Sequence, residues 1–206
     1  MPFSLDRFVA LRPYLFHLTY NENLPGILEH RRLISARQLT DPLDFHVLAK
    51  KRAQQARVRT NRGRVTLRDQ APLAFGNVDL SPNFFREDLL NLLNGNVYFW
   101  PGANRTTPVT MGRNHFRKYR NTASSVMIFR TEDLLRMNGP ARFCRYNSGA
   151  PRCSGGRKSP RGPETFQTAE FYTGTAATVK EVTWVDSVQL PAVEDIRPVS
   201  EFLDLS

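Results

Sequence analysis

Apolar and polar positions change their spacing several times along this chain, and each change marks an element. In positions 1 to 16, Phe3, Leu5, Phe8, Val9 and Leu11 recur at helical spacing and predict a short amphipathic helix. After Pro13 the run Tyr14 to Thr19 is apolar enough for a buried strand, yet it ends in the polar pair His17 and Thr19. Asn23 and Pro25 supply a cap and a first-turn proline, so a helix is expected from Pro25 to about Arg32, with Leu24, Ile27 and Leu28 inward. Leu33-Ile34-Ser35 reads as a short strand or turn. A second helical stretch is expected over residues 44 to 60, with Phe45, Leu48 and Ala49 on one side and basic residues on the other.

Gly63 to Leu73 reads as a loop entering a strand, and Pro82 to Leu93 as a helix that buries Phe84, Phe85, Leu89, Leu92 and Leu93. Asn94-Gly95-Asn96 is a turn signal before the strand Val97 to Trp100, which Pro101-Gly102 should end. Residues 103 to 115 form a polar loop, and His115 to Tyr119 starts a short helix. Ser125 to Arg130 is a strand, and Thr131 caps the helix that follows. Residues 138 to 166 are rich in Gly, Pro and Arg and read as one long loop, a kind that is functional more often than filler. Val179 to Val185 and Ser187 to Leu190 are the last strands. Short strands with inserted helices, and no alternating strand–helix rhythm, give an α+β fold in a single domain over residues 1–206.

Charge narrows the partner. The net charge is +10, which favours a polyanion, nucleic acid before an anionic membrane surface. Between Lys50 and Arg68 there are eight basic residues and no acid, a block that repels itself unless something negative lies nearby. No run approaches the roughly 18 apolar residues of a membrane helix, and Asp6, Arg7 and Arg12 interrupt any leader, so a cytoplasmic protein with no membrane partner is expected. Cys144 and Cys153 could close a small loop if oxidised, but in a chain with a good core they are expected to be reduced. Four scattered histidines and no Cys-x-x-Cys pair argue against a metal.

Neither standard nucleotide-binding glycine motif occurs, nor a Gly-x-Ser-x-Gly elbow. Glu181 stands among Val179, Val182, Thr183, Trp184 and Val185, where composition says strand. A carboxylate on so apolar a face is costly unless it is paired with an arginine or set at a wet cleft. His17 taken alone suits a hydrogen-bonded structural histidine, and Tyr98-Phe99-Trp100 suits core, with Trp100 as a possible pocket rim. Arg52 and Arg57, taken singly, suit solvent.

The order of these residues resembles the DarT family of nucleic-acid ADP-ribosyltransferase toxins, or a sister family. Three segments carry it. His17-Leu18-Thr19 with Asn23-Leu24 and Ile27-Leu28 is similar to that family's His-Ile-Thr opening. Lys51-Arg52 through Gly63 to Asp69-Gln70-Ala71-Pro72-Leu73 is similar to its Arg-Arg…Asp-Tyr-Val-Pro-Phe segment, and Lys180-Glu181-Val182-Thr183-Trp184-Val185 to its glutamate strand. The chain departs from the pattern at Arg31-Arg32, where the family has Gly, and at Gln70-Ala71, where it has an aromatic run. An inserted residue leaves either Arg52 or Arg57 as the equivalent arginine, Arg52 being preferred, and the loop 138–166 has no counterpart.

The resemblance implies an ADP-ribosyltransferase-like core and NAD as co-substrate. His17, Leu18 and Thr19 would hold the nicotinamide ribose, Arg52 or Arg57 the pyrophosphate, and Glu181 would be catalytic, with Arg52 beside it. His115, with Arg113 and Tyr119, would orient the acceptor base, and Trp100, Asn147 and Arg152 complete the substrate side. The implied acceptor is DNA or RNA, single-stranded DNA first, because base chemistry needs an unstacked base. The implied setting is a toxin–antitoxin or phage-defence system with an antitoxin partner. Two other readings remain open: the same chemistry aimed at a protein side chain, and a basic nucleic-acid-binding module with no catalysis.

Overall fold

A computed structural model describes residues 2–40, 46–60 and 63–202, except for the side chains at positions 110, 111 and 113. In chain order the first elements are α1 (Leu5–Leu11), β1 (Tyr14–Tyr20), α2 (Leu24–His30), β2 (Arg32–Ile34), α3 (Ala36–Leu39) and α4 (His46–Ala49). Next come β3 (Ala56–Thr60), β4 (Gly63–Leu67), β5 (Val78–Leu80), α5 (Arg86–Asn94), β6 (Asn96–Gly102), α6 (Thr110–Lys118), β7 (Ser124–Arg130) and α7 (Thr131–Met137). The last are β8 (Arg142–Cys144), β9 (Ser159–Arg161), β10 (Gln167–Thr168), β11 (Glu181–Val185), β12 (Ser187–Gln189) and β13 (Asp195–Pro198).

Seven strands form one sheet in the order β10-β8-β11-β6-β1-β7-β13, and each neighbouring pair is antiparallel. With helices on both faces, the architecture is α+β. Period-two alternation sorts the side chains: Leu15, Val97, Phe99, Met127, Phe129, Val182 and Trp184 enter one core with Phe8 of α1 and Leu134 of α7. Phe16, Leu18, Trp100, Val126 and Ile128 face the other way, against Phe116 of α6 and Phe202. Leu89, Leu90 and Leu93 of α5 close a third cluster over Leu73, Val78 and Phe166. Burying these side chains on both faces is what holds the sheet between its helices.

The sheet is not evenly sewn. β6 pairs with β11 over Asn96–Phe99, but with β1 only from Trp100 to Gly102. Gly102 is needed there, since a Cβ would lie 2.4 Å from Cε2 of Phe16. Past Phe16 the two strands part, and the opening becomes the floor of the candidate site. β2 and β12 form a separate pair, and β5 and β9 a short parallel one.

Several expectations are corrected. The stretch 44–60 is not one helix: α4 is a single turn, and Ala56–Thr60 is a strand in a hairpin with β4. Buried Val58 between exposed Arg57 and Arg59 has the period of a strand, and Gly63 at φ 106 supplies the turn conformation that side chains avoid. Phe45 lies outside the described residues. Asn23 does not cap α2 with its side chain, which is engaged with Thr66 instead, and Leu28 is exposed. Phe85 precedes the first turn of α5 and is 64% exposed, because the helix turns Leu89, Leu90 and Leu93 inward. β6 runs on through Pro101, and α6 begins at Thr110, inside the expected loop. Thr131 is the first residue of α7, its hydroxyl donating to the carbonyl of Arg12. The segment 138–166 carries β8 and β9. Cys144 is buried, Cys153 exposed, and both are free thiols. Among the described residues no helix is long and apolar enough to cross a membrane.

Candidate active site

β6 turns Asn96, Tyr98 and Trp100 toward one cavity, the alternate residues Val97 and Phe99 being spent on the core. Glu181, the first residue of β11, joins them, and His17 reaches the same cavity from β1. Arg52 and Arg68 form a second wall, and the loop Asn147 to Ala150 a third. The volume is about 240 Å³. Opposite ends of the chain thus supply an imidazole and a carboxyl to one crevice.

Glu181 is 2% exposed, and its Oε2 accepts from the Ser148 amide at 3.2 Å. Burial raises its carboxyl to about 7, while the hydroxyl and amide of Ser148 and the charge of Arg161 pull the other way. Near neutral pH it is therefore poised to hold a proton or to take one. His17 donates from Nδ1 to the carbonyl oxygen of Tyr98 at 2.9 Å. Burial, then the nearby charge of Arg68, lower its ring to about 4, with the Tyr98 bond opposing. The ring is neutral at working pH and its Nε2 is an acceptor.

Arg52 is tied by Nε to the carbonyl of Arg68 at 3.0 Å and by Nη1 to Oδ1 of Asn94 at 2.9 Å. Burial lowers it to about 10, which leaves it charged. Arg68 lies over the Tyr119 ring, 5.2 Å from its centroid, and its Nη1 is 3.4 Å from Nε2 of His115. Since a guanidinium only donates, that nitrogen is unprotonated; burial and the charge of Arg68 hold the His115 ring well below its usual value. Among the described residues, no carboxylate is within ion-pair distance of Arg52 or Arg68.

Trp100, His115 and Tyr119 stack in series, with centroids 4.6 Å and 5.0 Å apart. Tyr119 stands behind, its hydroxyl donating to Oδ2 of Asp69 at 2.7 Å. Two buried polar atoms of β6, Nε1 of Trp100 and Oδ1 of Asn96, have no hydrogen-bond partner among the described residues. Both residues line the cavity, but the two atoms themselves are closed off from it, so a donor and an acceptor of β6 are unmet behind its wall.

A second cavity, of about 420 Å³, adjoins the first. Its lining includes Leu18 and Thr19, and it shares His17, Ile34, Ala36, Leu67 and Arg68 with the first. Arg68 thus stands at the seam of two compartments.

Of the residues singled out by sequence, His17, Arg52, Trp100, His115, Asn147 and Glu181 come together at the first cavity. Leu18 and Thr19 line the second. Arg57 does not join them: it is exposed on the hairpin, 3.6 Å from Glu22. Arg152 is also exposed and lines neither cavity, and the side chain of Arg113 lies outside the described residues. Sequence reasoning assigned no individual role to Arg68, Ser148 or Arg161. Arg68 sits in a block of look-alike basic residues, and Arg161 in an Arg-rich loop, 145–161, that reads as gripping phosphates; Arg161 is instead buried. Among the described residues, no cluster of His, Cys, Asp and Glu could hold a metal.

Residues 13–195 match the family described as "Family of unknown function (DUF7002)", and the chain belongs to that family. No curated protein and no solved structure matches it.

Proposed function

We propose that this member of the family of unknown function is an NAD-dependent mono-ADP-ribosyltransferase that modifies nucleic acid, single-stranded DNA first. The observation that carries the reading is the meeting of His17 and Glu181 at one cavity, with the carboxyl held near 7. Two joined compartments suit a ligand made of two linked halves, and the guanidinium of Arg68 at their seam suits an anionic link between them.

In this reading the neutral His17 accepts from a ribose hydroxyl, and the β1 backbone past Phe16, no longer paired with β6, is free to hold the nicotinamide amide. Arg52 and Arg68 neutralise the diphosphate. As the bond from ribose to nicotinamide breaks, positive charge builds on the ribose. Glu181 stabilises that charge, and it takes the proton lost by the acceptor nitrogen as the new glycosidic bond forms. Trp100 and His115, packed on each other, would form an aromatic wall beside which an unstacked base could lie. The exposed Lys50, Arg57 and Arg64 would hold phosphates, and unchecked activity would make the protein a toxin that needs an antitoxin.

The test is incubation with labelled NAD and a single-stranded oligonucleotide, wild type beside Glu181→Gln. The reading requires label on the oligonucleotide, and a loss of about 100-fold or more in the variant. Nuclease and protease digestion of the product separates the targets: label that survives nuclease on a protein would replace the nucleic-acid acceptor. Retained oligonucleotide binding with no transfer by either protein would leave only the binding module.

A further inference from the structure

We infer that Arg161 is a positioning residue for Glu181, and that its charge reaches the carboxylate through the peptide group joining Asn147 to Ser148. Arg161 is 2% exposed, the largest fully buried side chain among the described residues. Its Nη2 donates to the Asn147 carbonyl at 2.7 Å, and its Nη1 to Oγ of Ser159 at 2.7 Å and to the Pro160 carbonyl at 2.8 Å. Nε is 3.4 Å from the Ser148 carbonyl. All of these acceptors are neutral. Among the described residues, no carboxylate lies within ion-pair distance of Arg161. Its Cζ also lies 5.0 Å from the centroid of the Tyr146 ring, and a buried cation held by dipoles and one ring, with no carboxylate, is costly; this one lies at the end of β9 in a segment otherwise poor in structure.

The geometry gives the charge a purpose. The carbonyl that accepts from Arg161 and the amide that donates to Glu181 belong to the same peptide plane, Asn147 C=O and Ser148 N–H. A cation at the carbonyl polarises that plane and strengthens the amide as a donor, so the two bonds reinforce each other. Arg161 and Glu181 are thus an ion pair with one peptide group between them. The arrangement fixes the loop Asn147–Ala150 against the carboxylate and keeps Glu181 more ionised than its burial alone would allow.

No other group facing Glu181 can do this. Cys144 opposes it in register on β8 and is pushed up to about 12 by burial, and Tyr98 on β6 is held well above its usual value by burial and by Glu181 itself. Both are neutral at working pH. His17, across the cavity, is neutral too, and Ser148 does not titrate. Arg52 and Arg68 line the same cavity, but Arg161 is the cation whose charge acts on Glu181.

The catalytic consequence rests on the transferase reading; the ionisation does not, and NMR reads it without any activity. The carboxyl ¹³C resonance of Glu181, assigned by its loss in Glu181→Gln, is followed against pH in wild type, Arg161→Lys and Arg161→Gln. The midpoint should rise by about one pH unit in Arg161→Gln and by less than about half a unit in Arg161→Lys, which keeps the charge. A purely structural arginine would not separate the two variants at matched folding. In the wild type the Ser148 amide proton should shift downfield with the Glu181 midpoint. An unchanged midpoint in folded Arg161→Gln, or a Ser148 amide blind to Glu181, would overturn the inference. The wild-type amide decides alone if the glutamine variant does not fold. Midpoints that move as expected in a protein with no transferase activity would uphold the relay and remove the proposed function.

Discussion

Nδ1 of His17 lies 2.9 Å from the carbonyl oxygen of Tyr98, at the place where β1 and β6 stop sharing backbone bonds. An imidazole has taken the role of a backbone amide. The sheet can open there without stranding that carbonyl, because a side chain supplies the missing donor. A carbonyl only accepts, so the Nδ1–H tautomer is fixed and Nε2 is left bare. With His17 neutral down to about pH 4, the rising limb of the pH–rate profile belongs to Glu181 and should have its midpoint near 7. A midpoint near 6.5 that vanished in His17→Asn would reassign the titrating group.

Glu181 should cost the fold stability. Its carboxyl is raised to about 7, so the folded state binds the proton more tightly than the unfolded chain, whose value is 4.5. Stability tied to that proton is complete below 4.5 and is lost as pH climbs through 7. Glu181→Gln should therefore gain on wild type across this window, by about 3 kcal/mol at most, while losing activity. Urea midpoints at pH 4.5 and 8 measure the difference. His17 and His115 slope the other way: both are lowered by burial, so their contribution is complete above 6.5 and is lost with falling pH, that of His17 as pH nears 4. His17→Asn should remove part of that acid loss, and an identical acid limb in wild type and variant would contradict a neutral buried ring.

The arginines should separate by place. Arg68→Ala, at the seam of the two cavities, is expected to weaken NAD binding by roughly 10- to 100-fold, as loss of a charge-assisted contact would. Arg52→Ala should follow it, with added destabilisation, because the Arg68 carbonyl loses the Arg52 Nε donor and Oδ1 of Asn94 keeps only Gln70. Arg57→Ala should leave NAD affinity unchanged. Calorimetric titration with NAD checks all three, and a large effect at Arg57 would move the anion site to the hairpin.

What the sequence allowed, and what it hid, follows from the range of each signal. Strand β1, helix α1 and the carboxylate of β11 were readable because burial repeats locally along the chain. Strand β3 reads as the end of a helix, since dense basic residues mask whether the period is 2 or 3.6 until Val58 is seen buried between Arg57 and Arg59. Asn23 looked like a cap for a local reason, whereas its real partner, Thr66, is 43 positions away. Arg68 and Arg161 were invisible as site residues. What sets them apart is their distant partners, the Tyr119 ring and His115 for Arg68 and the Asn147 carbonyl for Arg161, and these are not written in their neighbours.

Asn23 supplies the next expectation. Its amide donates to the Thr66 carbonyl at 3.0 Å, and its Oδ1 accepts from the Thr66 amide at 3.0 Å. One side chain thus imitates a strand and docks β4 at the foot of α2, beside the second cavity. Asn23→Ala leaves both groups of a buried residue unmet and should cost about 1–3 kcal/mol. The amide of Thr66 should then exchange faster than those of β1 and β7. Uniform loss of protection through the large sheet would show instead that the hairpin does not open on its own.

The hairpin face tests the nucleic-acid reading most directly. Lys50, Arg57 and Arg64 are exposed and line neither substrate-sized compartment except for Arg64 at the second, so removing Lys50 and Arg57 should spare the chemistry. Each phosphate they hold releases a counterion, which contributes about −0.7 to the slope of log affinity against log salt on a single strand. Replacing Lys50 and Arg57 with alanine should flatten that slope by about 1.4 and raise the half-saturating oligonucleotide concentration, while kcat at saturating oligonucleotide and the KM for NAD stay put. Glu22 competes for Arg57 at 3.6 Å in the free protein, a weak exposed pair that a phosphate can displace. Glu22→Gln should accordingly tighten binding at low salt and leave it unchanged at high salt. A slope that is flat in the wild type would remove phosphate gripping altogether, and with it the reason for so basic a surface.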